Sequence, residues 1–309
     1  MKQEKTAKFY PQALQHIYHR CRDKGLLFYS LEDRLVYYSL VAVHSKKNNV
    51  EVAAASLMFT HLHQSVRAHS RKDLSCYLRN TDSAFTRLYN HRYGRSDGQL
   101  FGRPVGWSQK YSFKDKKTNV IYVFNNHVEK GLCKEAVQER WSFLAYALSD
   151  HPFSIPLNKN TASGPLLKAL RLVDRRVAKF KALEYCDLDR ILPELDGVET
   201  EQFVDYVISR YAWVDFSIGI SLFGSLDNMV IAINSTTGSE HCIDEDFSKH
   251  KDTGYVQLVR YAGESGFLGR IFSMAGSEKM DWVIRIRNEM FVPYSLLRKF
   301  FHYDFDVSR

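Results

Sequence analysis

Apolar residues recur at helical spacing in several windows of the chain. Ser30-Leu31-Glu32-Asp33 has the form of a helix start, a hydroxyl side chain ahead of acids in the first turn. Beyond it, Leu31, Leu35, Tyr38, Val41 and Ala42 form a stripe that predicts a helix to about Asn48. Leu74, Leu78, Phe85 and Leu88 predict a second helix over 72–92. Residues 118–130 (TNVIYVFNNHVEK) predict a third, stopped at Gly131. Between them, 14–24 (LQHIYHRCRDK) reads as a strand that turns basic, and 50–67 (VEVAAASLMFTHLHQSVR) as one long strand. A glycine-rich basic turn, YGRSDGQLFGRP, leads into a short extended piece around Trp107–Phe113. An amphipathic segment, 133–148 (CKEAVQERWSFLAYAL), closes this half. The order strand, helix, strand, helix, strand, helix predicts an α+β class, a small sheet with helices packed on it.

The pattern changes at 151–165 (HPFSIPLNKNTASGP), which holds three of the seven prolines. This composition marks a linker and divides the chain into a domain over 1–150 and an accessory region over 166–309. The region reads as mainly helical, at 166–184 and 199–213, with a glycine-broken apolar stretch at 214–233. Residues 277–301 hold two helix patterns around a short turn. That spacing suits a helix-turn-helix with Arg298 and Lys299 on the second helix, or a plain helical hairpin.

Composition adds three constraints. At 309 residues, 45% hydrophobic and 25% charged, the chain has an ordinary globular balance and a length that suggests two domains. No apolar run approaches the roughly 18–20 residues that span a bilayer, and MKQEKTAKFYPQ lacks the apolar core of a signal peptide. A cytoplasmic protein without membrane contact is therefore expected. The cysteines (Cys21, Cys76, Cys133, Cys186, Cys242) are scattered without a CxxC pair, which argues against a disulfide framework and a cysteine zinc site. Charge is divided unevenly. Residues 1–150 carry 24 Lys and Arg against 13 Asp and Glu, a balance of +11, and residues 151–309 carry 19 against 22, a balance of −3. A basic first half attracts a polyanion, nucleic acid above all. The mildly acidic second half argues against a large DNA surface over 151–270.

Two histidines stand out in SLMFTHLHQSV. Residues i and i+2 of a strand share a face, so His61 and His63 project together and Leu62 points to the core. Two imidazoles can share a divalent cation, but a third ligand is needed. On the third helix, Tyr122 and Asn126 lie four residues apart, on one face and one turn apart. A tyrosine can attack a phosphodiester covalently, and Asn126 could complete a metal shell through its carbonyl oxygen. Read alone, Tyr122 is better taken as a helix aromatic packed on the sheet.

These elements resemble those of the REP-associated tyrosine transposases and the insertion-sequence-200 type, members of the HUH (histidine–hydrophobic–histidine) single-strand endonucleases. The family's Met-Pro-Asn-His-x-His-like run corresponds to Met58-Phe59-Thr60-His61-Leu62-His63, and its helix and Asn-rich turn leading to a Gly-Leu-Trp/Phe-like element to FTRLYNHRYGRSDGQLFGR (85–103). Its tyrosine helix, Tyr-Ile-x-x-Asn-Pro-Val-x-x-Gly-Leu, corresponds to YVFNNHVEKGL (122–132), and its Trp-Ser-Ser-Tyr-like element to WSFLAY (141–146). Pro-Asn is replaced by Phe59-Thr60, and the proline after the helix asparagine by His127, expected to cap the surface.

The resemblance implies a ferredoxin-like domain with an antiparallel sheet, Tyr122 as nucleophile, and His61, His63 and Asn126 as ligands of Mg2+ or Mn2+. It further implies cleavage and rejoining of single-stranded DNA beside hairpins through a 5′-phosphotyrosine, by a monomer or homodimer. Candidate DNA backbone contacts are Arg20, Arg22 and Lys24 after the first strand, and Arg92, Arg95, Arg103, Lys116 and Lys117 near the tyrosine helix. Tyr93, Phe101 and Trp107 could stack on unpaired bases. The alternative function is a domesticated hairpin-binding protein that no longer cleaves.

Overall fold

A computed structural model describes residues 8–96, 98–102, 105–235 and 252–305. The first half runs β1 (Leu14–Arg20), α1 (Leu31–Lys47), β2 (Val50–Leu57), β3 (His61–Ala68), α2 (Arg71–Tyr93), β4 (Gly106–Lys110) and α3 (Phe113–Glu129). The four strands form one sheet in the order β2-β3-β1-β4, each neighbouring pair antiparallel. The α+β expectation holds.

The single long strand expected over 50–67 is instead a hairpin. Met58, Phe59 and Thr60 connect β2 to β3, and the Met58 amide donates to the His61 carbonyl at 2.9 Å. The connection has no Gly, Pro, Asn or Asp, so it carries none of the usual turn chemistry. Two further expectations are corrected. The third helix starts at Phe113 rather than Thr118, because Ser112 and Asp115 form a capping box ahead of a basic first turn. The segment over 133–148 is three short 3-10 turns, Ala136–Gln138, Arg140–Ser142 and Leu144–Ala147. Phe143 sits at φ +64° between the last two, which breaks any continuous helix.

The sheet separates two apolar clusters. On one face Ile17, Leu62 and Val66 pack with Leu35 and Tyr38 of α1 and Tyr77 and Phe85 of α2. On the other, Ala53 and Ala54 of β2 pack with Val120, Tyr122 and Val123 of α3. A register shift between Val52 and Ala54 turns two consecutive alanines toward this side.

The second half supplies α4 (Gly164–Ala178), α5 (Tyr185–Ile191), α6 (Gly197–Tyr211), α7 (Phe216–Phe223), α8 (Leu226–Ser235), α9 (Thr253–Glu264), α10 (Gly276–Met290) and α11 (Tyr294–Phe301). The helix expected over 166–184 breaks where Phe180 adopts φ +50°, which separates α4 from α5. Residues 150–155 lie along α6, where Ser209 donates to the Asp150 carbonyl and the Phe153 amide to Asp205.

Both faces of the sheet receive helices from this half. The α1/α2 cluster continues into α4, α6, α10 and α11, and the Tyr38 hydroxyl donates to the Ile208 carbonyl at 2.7 Å. Asp33, fully buried, accepts from the Tyr29 and Ser30 amides and from the hydroxyls of Tyr93 and Tyr185, which joins the start of α1 to α2 and α5. Helices α7 and α8 pack on α3. Gly219 permits this approach, since a Cβ there would lie 3.0 Å from Met229 Sδ and 3.6 Å from the Ala53 carbonyl oxygen. No single described helix is long and apolar enough to cross a membrane.

Candidate active site

His61 and His63 stand on the sheet face that α3 covers. Strand register sets His63 beside Tyr18 and His61 beside Arg20, so the side chains of β1 at even positions share their face. This brings in a residue that the sequence reading missed. His16 of β1 places Nε2 3.0 Å from Nδ1 of His63, and its own Nδ1 2.8 Å from the Asn119 amide nitrogen on α3. The Tyr122 ring lies against both imidazoles, with centroids 5.4 Å from His16 and 5.2 Å from His63. His61 and His63 are 5.0 Å apart, and Tyr18 completes the aromatic wall. The structure therefore brings His16, His61, His63 and Tyr122 together.

Burial fixes the protonation state. It takes His16 down to about 3, helped by Lys110, and His61 to about 3, helped by Lys130, His127, Lys299 and Arg20. His63 is held well below its usual range by burial and by its histidine neighbours. All three rings are neutral at physiological pH and able to act as ligands or bases.

Two of these imidazoles have the donor chemistry of metal ligands. Thr60 Oγ1 lies 2.9 Å from His61 Nδ1, while His61 Nε2 is buried without a hydrogen-bond partner. The Nδ1 of His63 is engaged by His16. An imidazole whose Nδ1 is held by a second group presents Nε2 to a metal. Asn126 is buried, and its amide nitrogen bonds back to the Tyr122 carbonyl at 2.9 Å, so the side chain is anchored to its own helix.

His127 does not cap the surface. It is buried, and its Nε2 donates to the Leu57 carbonyl at 3.2 Å. An apolar shell covers the tyrosine: Tyr122 is 4% exposed and shares a cluster with Ile218 of α7 and Met229 and Ile233 of α8.

A second group of potential metal ligands lies at the far end of β1. Among the described residues, Cys21, Asp23 and His302 bring three ligand-type atoms within 4.8 Å of one another. His302 Nε2 lies 2.9 Å from the Leu26 carbonyl, and Nδ1 lies 2.5 Å from an Asp23 oxygen. His302 therefore ties the end of α11 to the β1–α1 connection. Burial would raise the Asp23 carboxyl, but the hydrogen bond and charge of His302 take it below the usual range. Burial and Asp23 push the Cys21 thiol up.

The candidate DNA-contacting residues divide into two groups. Arg20, Arg22 and Lys24 are exposed at the end of β1. Arg92, Arg95, Lys116 and Lys117 make the following contacts within the chain. Arg92 pairs with Asp189 at 2.7 Å, and Arg95 stacks on Phe272. Lys116 donates to the Gln12 carbonyl, and Lys117 lies over Phe113 and Phe223. Arg103 lies outside the described residues. Of the candidate stacking rings, Tyr93 is buried on Asp33 and Phe101 stacks on His19, while Trp107 is exposed. Arg298 is turned onto the Phe305 carbonyl, and the Lys299 charge bears on His61.

No protein-family profile matches the chain, and no curated protein does. A solved structure described as "Structure of the REP associates tyrosine transposase bound to a REP hairpin" is similar at 14% identity. The match covers 52% of this chain and 94% of that one, with a TM-score of 0.40.

Proposed function

We propose that this protein is a metal-dependent single-strand DNA endonuclease and strand transferase that acts beside hairpins, with Tyr122 as nucleophile. The observation that carries the reading is the packing of Tyr122 against two neutral histidines, one of which shares a strand face with a third. The order β1-α1-β2-β3-α2-β4, with the two helices on one face of an antiparallel sheet, supports a ferredoxin-like domain.

In this reading the Tyr122 hydroxyl attacks the scissile phosphorus. The new Tyr–O–P bond forms as the P–O3′ bond breaks, leaving a 5′-phosphotyrosine and a 3′-hydroxyl. The proton lost by the phenol ends on the leaving 3′ oxygen, so the step balances. A 3′-hydroxyl from another strand end reverses the step and rejoins the DNA. His61 and His63, with Asn126 as third ligand, would hold Mn2+ or Mg2+, which polarises the phosphate when bound. Nitrogen donors favour Mn2+ over the harder Mg2+. Arg20, on the register partner of His61, and Lys130 and Lys299, whose charges reach it, supply positive potential where a phosphate would sit.

The test is a denaturing gel with hairpin oligonucleotides and Mn2+. Wild type should give a covalent protein–DNA adduct, and Tyr122→Phe should bind the same DNA without one. An adduct formed equally by the phenylalanine variant would remove Tyr122 from the role.

One observation favours the non-cleaving alternative: a nucleophile 4% exposed cannot meet a phosphate without movement of its cover. If wild type binds hairpins yet forms no adduct under any divalent cation, that alternative stands.

A further inference from the structure

Arg34 of α1 is a buried charge with no ion-pair partner among the described residues. It is 9% exposed. Among the described residues no carboxylate reaches ion-pair distance of it. Among the described residues its hydrogen bond is a long one, from Nη1 to the Leu57 carbonyl at 3.4 Å. Glu139, Asp33 and Asp252 influence it only from farther away. Aromatic faces partly compensate: the guanidinium lies 4.6 Å from the Phe59 ring centroid and 5.1 Å from that of Trp141. Burial takes Arg34 down to about 10, so it stays protonated at neutral pH. A guanidinium buried to this extent with no ion-pair partner among the described residues is costly to keep in a fold. Such a group calls for an anion.

Arg34 lines a cleft of about 410 Å³, together with Phe59, Trp141, Glu139, His127 and Arg260. The cleft contains a second unmatched group. The Leu57 carbonyl can only accept, so His127 Nε2 carries the proton, and its Nδ1 is a bare acceptor, buried with no partner. Glu139 accepts a bond from the Trp141 amide at 3.2 Å and brings further acceptor oxygens to the lining. One wall therefore offers a guanidinium fork, the shape that grips phosphate in two places. The lining offers acceptors, and the rest is aromatic and aliphatic.

The cleft adjoins the catalytic candidates. Phe59 belongs to the hairpin connection two residues before His61, and His127 stands five residues after Tyr122 on the same helix.

We propose that this cleft holds one unpaired nucleotide of the DNA strand next to the scissile phosphate. The phosphate lies on Arg34, with Arg260 at the rim, and the base sits among the apolar walls. An exocyclic amine of the base donates to Glu139 or His127, so cytosine, adenine and guanine are favoured over thymine, which has no such amine. The volume suits a nucleoside monophosphate. The inference deepens the single-strand DNA reading and rests on it for the strand, though not for the ligand chemistry.

The probes are dCMP, dAMP, dTMP and inorganic phosphate, titrated calorimetrically into the full chain, followed by hairpin oligonucleotides with one abasic site moved along the unpaired flank. Wild type should bind dCMP or dAMP at least tenfold more tightly than phosphate and several-fold more tightly than dTMP. One abasic position should weaken binding about tenfold. Arg34→Met, which removes the buried charge and keeps its bulk, should lose both effects, with circular dichroism and melting showing the fold intact. Arg34→Lys, which keeps the charge without the fork, should lose most of the mononucleotide affinity.

Equal affinities in Arg34→Met and wild type overturn the inference, as does a flat abasic scan with no mononucleotide binding. If that happens while wild type still forms the Tyr122 adduct, the cleft inference fails alone. If mononucleotides bind in an Arg34-dependent way and no adduct forms, the cleavage reading fails and the cleft stands.

Discussion

Nε2 of His16 lies 3.0 Å from Nδ1 of His63, and this contact joins β1 to β3 across 47 residues of sequence. His16 Nδ1 in turn meets the Asn119 side chain, whose amide oxygen is buried without a partner. The three groups form a line that two tautomer sets can satisfy. In one, the Asn119 amide donates to His16 and His16 donates to His63. In the other, the Asn119 amide is turned over, and protons run from His63 Nδ1 to His16 and from His16 Nδ1 to the Asn119 oxygen. Only the second leaves His63 Nε2 with a lone pair for a metal. Metal binding and the Asn119 orientation are therefore coupled.

His16→Ala should weaken Mn2+ binding by about 10- to 100-fold, the usual consequence of losing the hydrogen-bond partner that orients a ligating histidine. Isothermal titration calorimetry reads this directly. Unchanged Mn2+ affinity in a folded His16→Ala protein would show that His63 needs no such partner.

Thr60 has the matching role for His61, with Oγ1 2.9 Å from its Nδ1. The position where the family resemblance puts asparagine thus keeps a hydrogen-bonding group. Thr60→Val retains the shape and removes the hydroxyl, so Mn2+ affinity should fall about tenfold. Thermal stability should change by less than about 1 kcal/mol, because the group is only partly buried. Thr60→Asn should restore binding. If asparagine and valine behave alike, the hydroxyl does not orient the ring.

The first two helices and the placing of His61 with His63 on one strand face were legible because their signals are local: a capping serine, a stripe of apolar residues, alternation on one strand. His16 was not. In LQHIYHR it alternates with Tyr18 and Arg20 on one strand face, but only the register of β1 against β3 decides that this face meets His63. Arg34 was hidden for a similar reason. On a predicted helix it reads as a solvated charge, and its burial depends on β2, on the 3-10 turn around Trp141 and on α9, none of which a one-dimensional pattern brings together. The β2–β3 turn was missed because Met58-Phe59-Thr60 uses packing rather than turn residues; Phe59 packs on Tyr255 and Arg34.

The buried histidines set the acid side of the stability profile. His16, His61 and His127 are lowered to about 3, and His63 is lowered as well, whereas an unfolded histidine titrates near 6.5. Between these values the folded state binds fewer protons than the unfolded one, so stability present above pH 6.5 is lost as pH falls through that window. Each fully effective group contributes up to about 1.4 kcal/mol per pH unit. Asp33 and Asp252, lifted to about 6 by burial, act with the opposite sign, since their contribution is lost as pH rises, but they are two against four. The melting temperature should fall from pH 7 to pH 5, and His127→Gln should flatten that fall. A melting temperature that is constant across this range would contradict neutral, buried imidazoles.

The cover over Tyr122 offers a test that separates cleavage from binding alone. Met229 and Ile233 of α8 are fully buried in the cluster that contains Tyr122, and Gly219 holds α7 close to Met229 and β2. Helices α7 and α8 are bent by 81° at their junction, where Gly224 ends α7 at φ +84°. This pair can lift from α3 only by giving up buried apolar area. Met229→Ala removes part of that area, at a cost of about 2–5 kcal/mol to the packed state. If Tyr122 is a nucleophile whose access is limited by this cover, the substitution lowers the melting temperature and yet speeds adduct formation with a hairpin oligonucleotide. DNA affinity should stay within about twofold, because the substitution touches no cationic side chain. Stopped samples on a denaturing gel give the rate, and fluorescence anisotropy gives the affinity. Adduct formation that slows in step with the loss of stability would show that the cover is structural and that the tyrosine is reached by another route.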